Sequence, residues 1–297
     1  MGNDSLAKKG AQILLIIFLF KIFVAQIIKV IYSFMGADLP PQTIFIIGTQ
    51  IFAILFPALI VAGLLRLNMD LQIKDILKFK KINGKKILLC AIIGCAVQAV
   101  TIAVNAPIPL LLNRIFGGLP PQLVQPPQSI QLFLLGIIVI AILPAICEEL
   151  LFRGIILTTQ RAAGGYGAIM VSAIYFAIMH NDISTFLGVF ILGIVLGTVT
   201  LSTGSIFAAM IVHFFNNLFG FILQYMDSNH LLFWSGDKFY YSMAMIGLPI
   251  LIISLRCFSI EDLGKGSIKQ AFLNIPFIFI LLSYLVMQYL SFSAIIK

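Results

Sequence analysis

The chain has 297 residues, of which 61% are hydrophobic and 10% are charged, and its mean hydropathy is +1.09. Soluble globular proteins carry roughly 45–50% apolar and about 25% charged residues. The composition therefore excludes a soluble protein and predicts an integral membrane protein. The net charge of +8 does not indicate nucleic-acid binding, because the basic residues cluster between apolar runs, where they orient a protein in the bilayer.

The four cysteines, Cys90, Cys95, Cys147 and Cys257, lie within or beside apolar runs and show no CxxC spacing. They therefore predict neither a disulfide framework nor a zinc ribbon. Their pattern is typical of small residues packed in an apolar interior.

Long apolar runs follow one another along most of the chain, and a membrane-spanning helix needs about 20 such residues. The runs cover 11–34, 43–65, 87–112, 129–160, 165–180, 184–201, 204–226, 239–256 and 273–295. The fifth and sixth are the shortest, which predicts tilted helices enclosed by longer ones. The fold prediction is an all-α, polytopic transmembrane helical bundle of about eight to nine spans, with any catalytic core in the C-terminal group of helices.

The segment from Arg66 to Lys86 holds seven basic residues against two acidic ones, Asp70 and Asp75. Short loops rich in lysine and arginine stay in the cytoplasm. This loop and the N-terminus are therefore predicted to be cytoplasmic in a plasma-membrane protein. The turn-rich segment from Gly117 to Pro127 is predicted on the opposite side.

Two lysines, Lys21 and Lys29, lie inside the first apolar run, on roughly one side of a helix. Long basic side chains of this kind either extend toward the membrane surface or line a polar groove. The sequence leaves both alternatives open.

Three charges interrupt the fourth run, at Glu148, Glu149 and Arg153. A charge at the bilayer centre costs roughly 2.5–3.5 kcal/mol on insertion scales, so it usually marks a working site. Glu149 and Arg153 are spaced i and i+4 on a helix and can pair. Glu148 is turned by about 100° from Glu149, which leaves it available for chemistry; the alternative is a purely structural polar cluster of all three.

Two later runs supply the other candidate polar groups. His180 ends the fifth run, one helical turn after Phe176, and the seventh run places His213 and Asn217 at i and i+4 on one face. A single histidine inside a membrane is often only a hydrogen-bonded packing residue. Two histidines, an asparagine in register and a carboxylate together favour a functional site.

These residues resemble the motifs of a known family. Glu148-Glu149-x-x-x-Arg153, Phe176-x-x-x-His180 and His213-x-x-x-Asn217 are similar, in this order and on successive helices, to those of the CPBP family, also called Abi. The family contains CAAX-prenyl-protease-like proteins and bacteriocin-processing or immunity membrane proteins. The resemblance covers roughly residues 130 to 225. It divides the chain into N-terminal helices with the basic loop (1–125), a CPBP-like core (126–230) and C-terminal helices (231–297).

The resemblance implies an intramembrane endopeptidase that cleaves a peptide or membrane-anchored protein, with a link to bacteriocin processing or self-immunity. It implies that Glu148 and His180 activate a water molecule and that His213 and Asn217 stabilise the oxyanion. Glu149, Arg153 and Phe176 would then support the site.

No cofactor is expected, and the absence of an HExxH motif agrees with a metal-independent reaction. The alternative is a zinc ion bound by Glu148, Glu149, His180 and His213, which are acceptable zinc ligands. Two other functions remain open. The chain is either a non-catalytic membrane partner that modulates a sensor kinase or transporter, or a proton-coupled transporter that uses the buried Glu and His residues as a relay.

Overall fold

The computed structural model describes residues 3–34, 42–69, 72–119, 127, 129–232, 237–258 and 275–296. Helices make up the regular structure of these residues, and no strand occurs among them. The elements are α1 (Asn3–Phe34), α2 (42–69), α3 (Ile73–Leu77), α4 (Gly84–Asn105), α5 (Pro107–Phe116), α6 (130–159), α7 (Gly164–His180), α8 (Phe186–Thr203), α9 (Ile206–Ser228), α10 (Asp237–Leu255) and α11 (Ile275–Ile296). The prediction of an all-α polytopic bundle is confirmed.

Eight helices of the described residues are long and apolar enough to cross a membrane. They correspond to eight of the nine predicted runs. The ninth run forms α7, which has 17 residues and is buried along almost its whole length. A helix that is apolar on all sides is stable only when other helices surround it, so α7 is an enclosed element of the bundle, as its short run indicates.

Local signals fix the ends of the two helices that carry most of the site. α6 begins after Ser129, whose hydroxyl accepts a 3.2 Å hydrogen bond from the amide of Leu132, and serine is a preferred residue there. α7 is terminated by the residue after His180, Asn181, which has a left-handed backbone with φ of 53°. Asparagine tolerates this conformation better than most residues.

Helices α2 and α6 both contain wide π-helical turns. These turns cover Thr49–Leu55 in α2, and Ile137–Ile142 and Leu150–Ile156 in α6. Between the two in α6 lies the α-helical segment Leu143–Glu149, which packs against the wide turn of α2. π-Helical turns are rare and occur frequently at functional sites.

Helices α7 and α8 approach closely where α8 has its Gly193-x-x-x-Gly197 spacing. A Cβ atom added at Gly193 would lie 2.8 Å from Cα of Ala173, and one at Gly197 would lie 3.1 Å from the side chain of Ile169. The two helices thus make the close contact that this spacing permits.

The membrane orientation and the division of the chain at residues 125 and 230 remain predictions. The predicted turn from Gly117 to Pro127 lies mostly outside the described residues, with only 117–119 and 127 within them. The basic loop from Arg66 to Lys86 is described except for residues 70 and 71.

Candidate active site

Glu149 and Arg153 form the buried ion pair that their spacing predicts. Oε1 of Glu149 lies 3.1 Å from Nη1 of Arg153, and both side chains are fully buried. The guanidinium also donates to the carbonyl oxygen of Gly193 at 3.3 Å. It lies 4.3 Å from the ring centroid of Phe176, within the range of a cation–π contact. The pair therefore joins α6 to α7 and α8.

His213 completes this charged group from α9. Its Nδ1 lies 2.7 Å from Oε1 of Glu149. A carboxylate paired with arginine can only accept hydrogen bonds, so the hydrogen of the imidazole is on Nδ1. The Nε2 atom of His213 is then the ring nitrogen available for other chemistry.

Glu148 has the separate environment that its position on the helix predicts. Its Oε1 accepts a 2.6 Å hydrogen bond from the side-chain amide of Gln50. Its Oε2 has no hydrogen-bond partner among the described residues and lies 3.8 Å from Nε2 of His180. One oxygen is thus held, and the other faces a histidine.

His180 is oriented by its own helix. Its Nδ1 lies 2.8 Å from the carbonyl oxygen of Phe176. Because a carbonyl can only accept, Nδ1 carries the hydrogen, and Nε2 of neutral His180 is a hydrogen-bond acceptor directed toward Glu148. The histidine side chain is 31% exposed, whereas that of Glu148 is 9% exposed.

Gln50 is a site residue that the sequence analysis missed. It lies in the wide turn of α2, where its side chain is buried, 98 residues before Glu148. The available signal was a single amide within the second apolar run. A buried amide needs hydrogen-bond partners, but the sequence does not show which residues supply them.

Asn217 is held by a carbonyl that Pro144 leaves available. Its Nδ2 donates a 3.0 Å hydrogen bond to the carbonyl oxygen of Ile140, four residues before Pro144. Proline has no N–H group for the usual bond to the carbonyl four residues earlier. Oδ1 of Asn217 accepts from the side-chain amide of Asn216 at 3.0 Å, so the orientation of the Asn217 amide is fixed at both ends.

A cavity of about 690 Å³ brings the four predicted catalytic residues together. Its walls include the side chains of Glu148, His180, His213 and Asn217. Further polar groups line the same cavity, namely Gln98, Gln224, Asp227 and Tyr240. Residues from α6, α7 and α9 thus meet at one space, as expected for three motifs on three helices.

The first and the last helix of the described chain both support the segment around His180. Lys21 of α1 donates a 2.8 Å hydrogen bond to the carbonyl of Met179, and a cation there complements the negative end of the α7 dipole. Gln288 of α11 donates to the carbonyl of Asn181 at 2.9 Å and accepts from the amide of Ile183 at 3.2 Å. Lys21 thus makes a polar contact within the protein, and its alternatives of snorkelling or lining a groove stay predictions.

The zinc alternative would need a different arrangement of these side chains. Within the part of the chain that the structure describes, no group of three or more His, Cys, Asp or Glu side chains is placed to hold a metal ion. Oε1 of Glu149 already accepts hydrogen bonds from Arg153 and His213. A four-ligand zinc site would require these contacts to break.

Fold and site together define a multi-pass α-helical membrane protein with a buried glutamate–histidine site. Residues 130–219 match the family model described as Rce1-like: Type II CAAX prenyl endopeptidase Rce1-like. This match supports the CPBP/CAAX-protease-like family that the motifs resemble, and the matched segment contains Glu148, His180, His213 and Asn217. No curated protein and no solved structure matches the chain. Together with the eight candidate membrane spans among the described residues, the match supports a CAAX-type membrane protease at family level.

Proposed function

We propose that this protein hydrolyses peptide bonds within the membrane, with Glu148 as the general base and His180 as its partner. The observation that carries the proposal is the buried Oε2 atom of Glu148, which has no hydrogen-bond partner among the described residues and lies 3.8 Å from Nε2 of His180. Both side chains line a cavity large enough for a peptide segment.

The distance between the two atoms suits a water molecule held by both. It is too long for a direct hydrogen bond, and polar contacts of this length are commonly bridged by water. Ionised Glu148 and neutral His180 both present acceptors, so one water can donate a hydrogen to each. Attack of the water oxygen on the peptide carbonyl carbon transfers one proton to Glu148. When the C–N bond breaks, that proton passes to the leaving nitrogen.

The developing oxyanion is assigned to Asn217 and His213. The Asn217 amide has two hydrogens, and its bond to the Ile140 carbonyl uses one and leaves the other for the substrate oxygen. His213 can donate from Nε2 only as the imidazolium ion, because its Nδ1 hydrogen is directed at Glu149. A preorganised oxyanion donor contributes about 10² to 10³-fold in rate.

The substrate is proposed to be a peptide or a membrane-anchored protein whose cleavage site enters the cavity beside Glu148. A role in bacteriocin processing or self-immunity is the corresponding cellular proposal. It is tested by sensitivity of a deletion strain to its own secreted peptides. Complementation by wild type but not by Glu148→Gln supports it, and equal complementation by both contradicts it.

Purified full-length protein tests the chemistry directly. The probes are synthetic peptides with and without a prenylated cysteine, incubated in H₂¹⁸O and analysed by mass spectrometry. We expect new carboxyl termini that carry ¹⁸O. Glu148→Gln and His180→Ala should abolish cleavage, because a general base contributes about 10² to 10⁴-fold.

The control is His230→Asn, a change at an exposed histidine with a φ of 56° that asparagine tolerates. This variant should cleave as the wild type does. Cleavage by Glu148→Gln at the wild-type rate would overturn the proposal. Failure of the wild type on every probe, together with a cellular phenotype that Glu148→Gln retains, would favour the non-catalytic partner.

A further inference from the structure

A second polar cavity, with no residue in common with the first, lies among the loops at one end of the bundle. Its volume is about 460 Å³. Its walls come from α3, the loop that follows α3, the turn before α7 and the turn before α9. All of these segments lie between candidate membrane spans or at their ends. The cavity is therefore at the boundary of the apolar part of the protein.

The charges around this cavity are unbalanced. Four cationic side chains, Lys74, Lys78, Lys80 and Arg161, line it together with one carboxylate, Asp75. The tendency of basic loops to remain in the cytoplasm explains why the segment as a whole is basic. It does not explain why four of the basic side chains surround one space, since like charges repel.

Lys78 is the buried member of the group, with 6% of its surface exposed. Its Nζ donates to the carbonyl oxygen of Arg153 at 3.0 Å and to the hydroxyl of Thr158. Its hydrogen-bond partners among the described residues are all neutral oxygens. Burial and then the charge of Arg161 lower the pKa of Lys78 to about 7. Among the described residues no carboxylate pairs with this buried amine, so its charged form is costly.

Backbone contacts fix the loop that carries Lys78 and Lys80. The carbonyl oxygen of Lys78 accepts a 3.1 Å hydrogen bond from the amide of Ile206, the first residue of α9. The carbonyl oxygen of Lys80 accepts from the hydroxyl of Ser205. Because the loop is fixed to the start of α9, its basic residues remain beside the cavity, where an anion would reduce their repulsion.

We propose that this cavity binds a phosphate group, through the exposed side chains of Lys74, Lys80 and Arg161 and the positive potential of Lys78. Arginine and lysine are the usual partners of phosphate, and basic pockets at the ends of membrane helices bind anionic headgroups. The phosphate belongs either to a membrane lipid or to a soluble molecule. This inference is independent of the proposed peptidase activity.

The test uses full-length protein in detergent and two probes, inorganic phosphate and the short-chain lipid dihexanoyl-phosphatidylglycerol. Binding is measured by titration calorimetry at constant ionic strength, with dihexanoyl-phosphatidylcholine as the zwitterionic control. Binding of inorganic phosphate identifies a soluble phosphate source. Binding of the glycerol lipid without binding of inorganic phosphate or the choline lipid identifies a membrane lipid.

The test variant combines Lys74→Gln, Lys80→Gln and Arg161→Gln, which change only exposed side chains. Each basic residue near an anionic membrane surface contributes about fivefold in affinity, so the affinity of this variant for the phosphate-bearing probe should fall at least tenfold. The control combines Lys81→Gln, Lys85→Gln and Lys86→Gln, three exposed lysines of the same segment that do not line the cavity.

The control should bind as the wild type does. If the neutral variant is poorly folded, the charge-conserving set Lys74→Arg, Lys80→Arg and Arg161→Lys provides a second test and should retain binding. The proposal is overturned if the wild type binds neither phosphate-bearing probe. It is also overturned if the test and control variants lose affinity equally, because the effect would then be the general charge of the loop.

Discussion

The side-chain amide of Gln50 donates a 2.6 Å hydrogen bond to Oε1 of Glu148 across two helices. Oε2 of the same carboxylate has no hydrogen-bond partner among the described residues and lies 3.8 Å from Nε2 of His180. Gln50 therefore determines which oxygen of Glu148 is available as the base in the proposed reaction.

Replacement of Gln50 by leucine should lower kcat with little change in KM. A hydrogen bond to a charged group contributes about 1.5–3 kcal/mol, so kcat should fall about ten- to a hundredfold. Steady-state cleavage assays at equal amounts of folded protein measure this. Gln131→Leu, at an exposed glutamine of α6, is the matched control. An unchanged kcat for Gln50→Leu would show that Glu148 is oriented by other contacts.

The two adjacent glutamates should respond differently to substitution by glutamine. Glu149→Gln breaks a fully buried pair with Arg153 and weakens the contact to His213. Removal of one partner of a buried pair costs about 3–5 kcal/mol, so folded protein should decrease. Glu148→Gln retains a side-chain oxygen that can accept the hydrogen bond from Gln50. The amount of folded protein should therefore stay near normal, while cleavage is lost. Equal abundance of the two variants, measured by size-exclusion chromatography, would contradict this division.

Pro144→Ala should disturb Asn217 indirectly. The new backbone N–H can donate to the carbonyl of Ile140 in the usual helical pattern and compete with the Asn217 amide. Cleavage should fall, by less than the roughly 10² to 10³-fold expected for direct loss of an oxyanion donor in Asn217→Ala. Thermal stability should not fall in parallel. Pro249→Ala, at the proline inside α10, is the control, and equal activity of the two proline variants would refute the link.

Lys78 should make stability depend on pH. Burial lowers its pKa from 10.5 to about 7 in the folded protein. Between these values the unfolded chain binds more protons, so stability should rise as pH increases from 7 to 10.5. The rise is on the order of a few kcal/mol. Thermal unfolding across this range should show a rise that Lys78→Met lacks and that Lys81→Met, at an exposed lysine, retains. A rise of the same size in Lys78→Met would assign it to other groups.

Cleavage should survive exhaustive chelation, because the described polar groups act in the proposed reaction through a carboxylate, two imidazoles and an amide. The measurement compares activity before and after treatment with a zinc chelator, followed by dialysis into metal-free buffer. Loss of activity that zinc restores would reassign Glu148, Glu149, His180 and His213 as ligands.

Local sequence patterns predicted much of the fold and the ion pair within α6. Apolar runs predicted the nine long helices of the described residues, and the i, i+4 spacing predicted the contact of Glu149 with Arg153, because both depend on neighbouring residues. The partners of these groups across the bundle were not predictable. The bond of Gln50 to Glu148 and that of His213 to Glu149 depend on how distant helices pack. The wide turns beside Pro144 also escaped prediction, since a proline alone does not specify a π-helical register.

The residues that support Glu148 and the segment around His180 have a consequence for protein engineering. Lys21, Gln50 and Gln288 contact the site or its flanking turn, yet all three lie outside the segment 130–219 that matches the family model. Transplanting that segment alone into another membrane bundle would deliver the reactive side chains without the groups that hold them. A functional chimera therefore requires exchange of the three remote positions as well, and sequence similarity marks a smaller unit than the one that must be transferred.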